Sequence, residues 1–287
     1  RIDVAHGMVK EPGLPDVIEN NSTMTGVSDE LKDYQHPFWG QPGVHEINKR
    51  FRKVLDEYQD RAMCGEAYVL PLSFMALWVR PDEFNQTFNF RFLDSDWEPS
   101  ALKATIEESF AAFDAVGAPS TWVLSNHDVI RHASRMGGLT GRPTASDGVG
   151  PDDPQPDREL GLRRARGASL FMLGLPGSAY LYQGEELGLP EHTTLEAKHR
   201  QDPTFFRTNG KRVGRDGCRV PLPWESNGGT SLGFNTTGKA WIPQPSIYRD
   251  YSRDLQRNDP DSTLELYHRA LRLRKELNLG GGSFAWE

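Results

Sequence analysis

Brief apolar or β-prone runs alternate with stretches of helical periodicity along most of this chain, and that alternation leaves few folds open. The runs are 61–70 (RAMCGEAYVL), 87–92, 121–125 and 178–182. Each has about the length of a buried strand. Between them apolar residues recur every three or four positions, as with Ile47, Phe51, Val54, Leu55 and Tyr58 within 45–58. The stretches 102–116, 160–173 and 264–277 repeat the pattern, the last with Asp261 or Ser262 placed to cap it. Strand followed by helix, several times over, predicts parallel βα units rather than an antiparallel sheet.

Two stretches break the pattern. Residues 136–157 are rich in Gly, Pro and Asp, and 190–260 carry little sustained periodicity. Loops of that length in an enzyme are usually functional or mobile rather than core. After Leu279 a glycine run leads into Ser-Phe-Ala-Trp-Glu, which reads as the opening of another element.

Composition narrows the partners. The formal charge of −7 is spread along the 287 residues without long blocks of one sign, so no nucleic-acid footprint is present. A neutral or polar small molecule suits this balance better than a polyanion. No apolar run approaches the roughly 20 residues that span a bilayer. Cys64 and Cys218 lie far apart without metal-ligand spacing, which predicts a reducing compartment and a cytoplasmic location. The chain opens on Arg1 with no charged-then-apolar leader, so a processed chain or a piece of something longer is expected.

Three short segments place a charged group just after an apolar run: Arg1-Ile2-Asp3-Val4-Ala5-His6, Cys64-Gly65-Glu66-Ala67 and Ser125-Asn126-His127-Asp128. In parallel α/β folds catalytic groups sit at the C-terminal ends of strands, where loops converge. Two carboxylates facing across a sugar ring are the minimum equipment for glycoside hydrolysis. Each segment alone is weak evidence, because a single Asp or Glu after a strand is more often a helix cap or a loop ion pair.

Taken in order, RIDVAH, GEAY and SNHD resemble the fourth-, fifth- and seventh-strand signatures of the α-amylase superfamily, glycoside hydrolase family 13. QPGVHEINKRFR (41–52), YQGEELGLP (182–190) and RDGCRVPLPWE (215–225) point to its α-glucosidase and oligo-1,6-glucosidase branch. The resemblance implies an α/β fold: strands 4 to 8 of a (β/α)8 TIM barrel over residues 1–279, with the start of a C-terminal β-sandwich domain at 280–287. It also implies that strands one to three, with their own sugar-binding residues, lie outside this chain. Half a barrel exposes sheet edges and an apolar interior, so the chain alone is expected to be unstable and inactive.

Carried over residue by residue, the resemblance makes Asp3 the nucleophile and Glu66 the general acid/base. Asp128 becomes the third carboxylate, which favours the oxocarbenium-like transition state. Arg1 would keep Asp3 ionised, and His127 would bind glucose hydroxyls. Retention of configuration places the Asp3 and Glu66 carboxyls about 5–5.5 Å apart. Burial and Asp3 should raise the Glu66 carboxyl. Val4 matches a position with Val in many 1,6-cleaving members and Thr, Ala or Gly in 1,4-cleaving ones. Arg131 and Arg135 either contact substrate or brace their loop, and His6 either lines the pocket or is structural. Glu185 and Glu186 read as structural, and Cys64 as a small buried residue. No metal or cofactor is expected for the chemistry.

Three other readings are weighed, one of them a truncated, non-functional gene product. The glucosyl-enzyme can pass its sugar to another sugar, as in trehalose synthases and sucrose isomerases. Non-catalytic relatives, such as transporter ancillary subunits, lose the carboxylates and carry an anchor. This chain keeps Asp3, Glu66 and Asp128.

Overall fold

In the computed structural model the alternating runs become strands of two or three residues. The described residues are 1–16, 37–139 and 147–287; part of the 136–157 stretch therefore lies outside them. The strands are β1 (Cys64–Gly65), β2 (Gln86–Thr87), β3 (Thr121–Val123) and β4 (Ser178–Tyr180). β1 and β2 are parallel, with Gly65 opposite Thr87, and Ile2 forms a parallel bridge to the other side of Gly65. β3 and β4 form a second pair. The run at 87–92 does not stay extended, because the Asn89 side chain accepts the Phe92 N–H at 3.1 Å and starts the helical turn Phe90–Leu93. A side chain that offers the backbone a cap competes directly with the ladder.

The described chain divides into two units, Arg1–Val123 with Pro176–Ala179, and Leu124–Leu175 with Tyr180–Glu287. The first unit has an aromatic core around Trp78, Phe84, Phe92, Phe113 and Trp122. Trp122 is met edge-on by Phe92 and Phe110, and its indole N–H donates to the Pro176 carbonyl at 2.6 Å. The helix Pro99–Asp114 starts on proline, whose missing N–H costs nothing at that position. It buries Thr105, Ile106, Ser109, Ala112 and Phe113, which lie on one face.

The helix Val44–Leu55 corrects the expected stripe. It buries Val44, His45 and Asn48, while Phe51, Val54 and Tyr58 are exposed. The reason is a buried acid. Glu83 accepts from Asn48 Nδ2 at 3.0 Å, pairs with His45 Nδ1 at 2.8 Å and is held by Arg80. A fully buried carboxylate needs such partners, and meeting that need fixes which helix face turns inward.

In the second unit the helix Arg158–Gly174 is capped by Asp157, and Thr263–Glu276 by Ser262, whose hydroxyl accepts the Glu265 N–H at 3.1 Å. The 190–260 stretch does not behave as loose loop. Leu187, Leu189, Leu195, Val220, Leu232, Ile242, Tyr248 and Leu264 form one buried cluster. Its apolar residues are spaced irregularly, so neither helical nor strand periodicity reveals them.

One glycine here has a measurable role. A Cβ on Gly161 would lie 2.0 Å from the Ala133 carbonyl oxygen, so the two helical segments touch through bare backbone. Ala is ordinarily better than Gly in a helix by about 1 kcal/mol. Gly161→Ala should do the reverse and destabilise by about 1–3 kcal/mol, the usual range for overpacking. An unchanged or raised midpoint in thermal unfolding would contradict that contact.

Candidate active site

Backbone pairing brings the first two carboxylates together. The Ile2 N–H donates to the Cys64 carbonyl at 2.9 Å, Glu66 N–H to Ile2 at 2.8 Å, and Ala5 N–H to Glu66 at 2.8 Å. Asp3 and Glu66 therefore leave neighbouring parallel segments at the same end. Gly65 lets the Phe84 ring pack against this strand, because a Cβ there would stand 2.3 Å from the ring.

Arg1 joins the pair. One guanidinium nitrogen, Nη2, donates to Asp3 Oδ1 at 2.7 Å and to Glu66 Oε2 at 2.5 Å, and the guanidinium lies 5.5 Å from the centre of the Phe88 ring. The Asp3 side chain is 70% exposed and that of Glu66 only 17%. Burial pushes the Glu66 carboxyl up to about 7, and the hydrogen bond and charge of Asp3 push the same way against Arg1. The Asp3 and Glu66 carboxyls accept from the same donor. Both are drawn onto one guanidinium nitrogen.

Val4 follows Asp3 with φ at +44°. A β-branched residue in the left-handed region is strained by roughly 1–3 kcal/mol. The turn is held by the Ala5–Glu66 bond and by Gly7 N–H donating to the Val4 carbonyl at 2.9 Å. His6 is buried against Trp39, with ring centroids 5.1 Å apart, and its Nδ1 accepts from Tyr68 N–H at 3.4 Å. Burial lowers its imidazole to about 4, so it is a neutral structural histidine.

A second cluster forms around Asp128. The Asn126 side chain accepts the Asp128 N–H at 2.8 Å, an Asx turn that sets the direction of the aspartate. Asp128 Oδ1 accepts from Arg215 Nη1 at 2.6 Å and Arg219 Nη2 at 2.9 Å, and His127 Nε2 lies 3.3 Å from Oδ2. Arg219 Nε also donates to the His127 carbonyl at 2.7 Å. The single turn Asp216–Cys218 delivers both arginines to one carboxylate oxygen. The resemblance gives neither a role, although both lie in RDGCR (215–219). Its signal was two arginines one tight turn apart.

Arg131 is not at this surface. It is buried, and Nη1 and Nη2 donate to the Gln183 and Cys218 carbonyls, each at 2.9 Å. Its guanidinium lies 5.1 Å from the centre of the Tyr182 ring. That geometry braces the loop and corrects the expectation that Arg131 binds substrate. Arg135 likewise donates to the Leu124 carbonyl at 2.6 Å. Both cysteines are buried thiols.

Among the described residues no three His, Cys, Asp or Glu side chains are grouped to hold a metal ion. Among the same residues no helix is long and apolar enough to cross a membrane.

Comparison with known proteins gives a consistent relationship. The profile of the alpha amylase catalytic domain matches residues 1–280. A probable alpha-glucosidase of Rhizobium meliloti is 31% identical over 271 residues, covering 92% of this chain and 44% of the relative. An oligo-1,6-glucosidase of Parageobacillus thermoglucosidasius is 26% identical over 310 residues, covering 96% and 50%. The crystal structure of an alpha-glucosyl transfer enzyme superposes with a TM-score of 0.79 at 26% identity, covering 99% of this chain and 50% of that one. The chain thus spans about half the length of the relatives it matches.

Proposed function

Because the chain belongs to the alpha amylase catalytic-domain family, we propose that it supplies the catalytic carboxylates of a retaining α-glucosidase acting on short α-linked oligosaccharides. Its segments at Ile2, β1, β2, β3 and β4 are then barrel strands four to eight. Residues 1–279 belong to the barrel and 280–287 lead into a following β domain. The observation that carries the reading is the shared Arg1. It holds an exposed Asp3 carboxylate beside a Glu66 that keeps its proton to about pH 7.

In the first step an Asp3 oxygen attacks the anomeric carbon and the bond to the leaving oxygen breaks. The Glu66 proton passes to that oxygen, giving a glucosyl ester on Asp3 and a Glu66 carboxylate. In the second step Glu66 takes a proton from water, whose oxygen displaces Asp3 from the same carbon and releases glucose. Asp128 and His127 are assigned to sugar hydroxyls. The test is hydrolysis of maltose and isomaltose by the full-length protein. Release of α-glucose supports the reading, and release of β-glucose or no turnover sinks it.

Linkage preference rests on Val4. Val4→Thr keeps a β-branched residue in the strained turn and adds a hydroxyl. The rate ratio of isomaltose to maltose should fall by roughly tenfold, the scale of a one-group change in a sugar pocket. An unchanged ratio would remove Val4 from specificity.

The likeness to an alpha-glucosyl transfer enzyme favours a second reading, in which a sugar replaces water in the second step. Product analysis at high sugar concentration separates the two: new disaccharides mean transfer, and glucose alone means hydrolysis.

A further inference from the structure

Asp202 never meets the Asp128 carboxylate, yet it fixes the arginine that does. Its side chain is fully buried. Oδ2 accepts the Arg215 backbone N–H at 2.9 Å and Nε at 2.6 Å, and Oδ1 accepts Arg215 Nη2 at 3.3 Å. Oδ1 also caps the short helix Pro203–Arg207 by accepting the Thr204 N–H at 2.9 Å. The Asp202 N–H itself donates to Asp216 at 3.0 Å. A planar guanidinium with Nε and Nη2 on one carboxylate has only Nη1 left to aim elsewhere. Here Nη1 points at Asp128 Oδ1, at 2.6 Å.

From this arrangement we infer that Asp202 is a positioning residue, acting through Arg215 to hold the orientation of Asp128. The inference rests on Asp128 being the third carboxylate of the proposed glucosidase. Two arginines then face two aspartates, so Asp128 receives two hydrogen bonds without an excess positive charge beside it. Burial alone would raise the Asp202 carboxyl, but Arg215 and the Thr204 N–H outweigh it and hold the group well below the usual range. Asp202 therefore stays ionised throughout the working pH range. Without its charge, Arg215 is released from one side and its fork turns onto Asp128 or away from it. Either movement displaces a carboxylate whose contacts to the sugar depend on sub-ångström placement.

Asp202→Asn tests this while keeping a good helix cap. Its crystal structure should show the Arg215–Asp128 contact rearranged. In the full-length protein kcat should fall by about 10²-fold, the cost of misplacing a catalytic group by about 1 Å. Added to Asp128→Asn, the same change should cost no more than about twofold further, because the two residues act along one path. A merely structural role predicts that the two losses multiply, and multiplication would overturn the inference. So would an Asp202→Asn structure with the Arg215–Asp128 contact unchanged. Arg215→Lys, which keeps the charge but loses the fork, should reproduce the fall in kcat; an unchanged kcat would overturn the inference even if the first variant failed to fold. A parent with no glucosidase activity would count against the functional reading only, and the crystal structure would then decide the positioning.

Discussion

In the full-length protein, Glu66→Gln is expected to slow maltose or isomaltose hydrolysis by about 10²–10⁴-fold, the usual contribution of a general acid. The loss should shrink sharply with a glucosyl fluoride, whose leaving group needs no proton. In the parent, the rate should fall as pH rises through about 7, because the active form carries the proton on Glu66 and that carboxyl is raised to about 7 by burial and by Asp3. Asp3 and Glu66 share Arg1, so the limb belongs to the pair rather than to Glu66 alone. Glu66→Gln should remove it. A parent whose rate stays flat from pH 6 to pH 9 would show that no proton is held there.

The second large effect is on stability and lies away from the carboxylate clusters. Glu185 is buried, and burial pushes its carboxyl from 4.5 up to about 8. The Glu186 charge adds to this, while hydrogen bonds from the Tyr182 backbone and the Tyr267 hydroxyl oppose it. His132 Nδ1 stands 3.9 Å from Glu185 Oε2, too far for a hydrogen bond, and burial holds the imidazole down to about 3. With both groups neutral at pH 7, no ion pair forms between them. The linked network is Ser125 to His132 at 2.8 Å, Ser169 to Tyr267 at 2.6 Å, and Tyr267 to Glu185 at 3.4 Å.

A carboxyl raised on folding gives no pH dependence below its unfolded value, since both states are protonated. Stability is then lost as pH rises from about 4.5 to about 8, where the unfolded chain ionises first. At about 1.4 kcal/mol for each tenfold change in ionisation, the loss reaches several kcal/mol. Glu185→Gln copies the neutral form. It should raise the unfolding midpoint at pH 9 by several degrees or more and leave it nearly unchanged at pH 4. Equal midpoints for variant and parent at pH 9 would mean that folding does not raise the Glu185 carboxyl.

Helix positions were legible where periodicity and a cap agreed. Ser262 and the 264–277 pattern led to Thr263–Glu276, and the 160–173 pattern to Arg158–Gly174. Strand sites were legible too, although Ser178–Tyr180 is only half-buried, but strand length was not, since Asn89 redirects its own run. The inward face of Val44–Leu55 depends on Glu83, which is 35 residues from Asn48 in sequence and absent from any helical pattern. The core within 190–260 escaped for the same reason, being assembled from single residues far apart in the chain.

The chemistry divides similarly. Asp3 and Glu66 could be paired in advance only through the family resemblance, and Arg1 with Asp3 because residues two apart share a strand face. His127 and Asp128 are neighbours in sequence. Arg215, Arg219 and Asp202 could not be found this way, since a contact spanning 87 residues leaves no local trace. Arg131 shows a choice that sequence position leaves open. Standing three residues after Asp128, it looked available to substrate, yet both of its terminal nitrogens are spent on backbone carbonyls.

The central claim is that Asp3 forms a covalent glucosyl ester with Glu66 as its acid/base partner. The most direct measurement is mass spectrometry of the full-length Glu66→Gln protein after incubation with α-glucosyl fluoride. The account predicts one added glucosyl group, located on the peptide containing Asp3 and absent from an Asp3→Ala control. A label on another residue, or no label while glucose is still released, would contradict it.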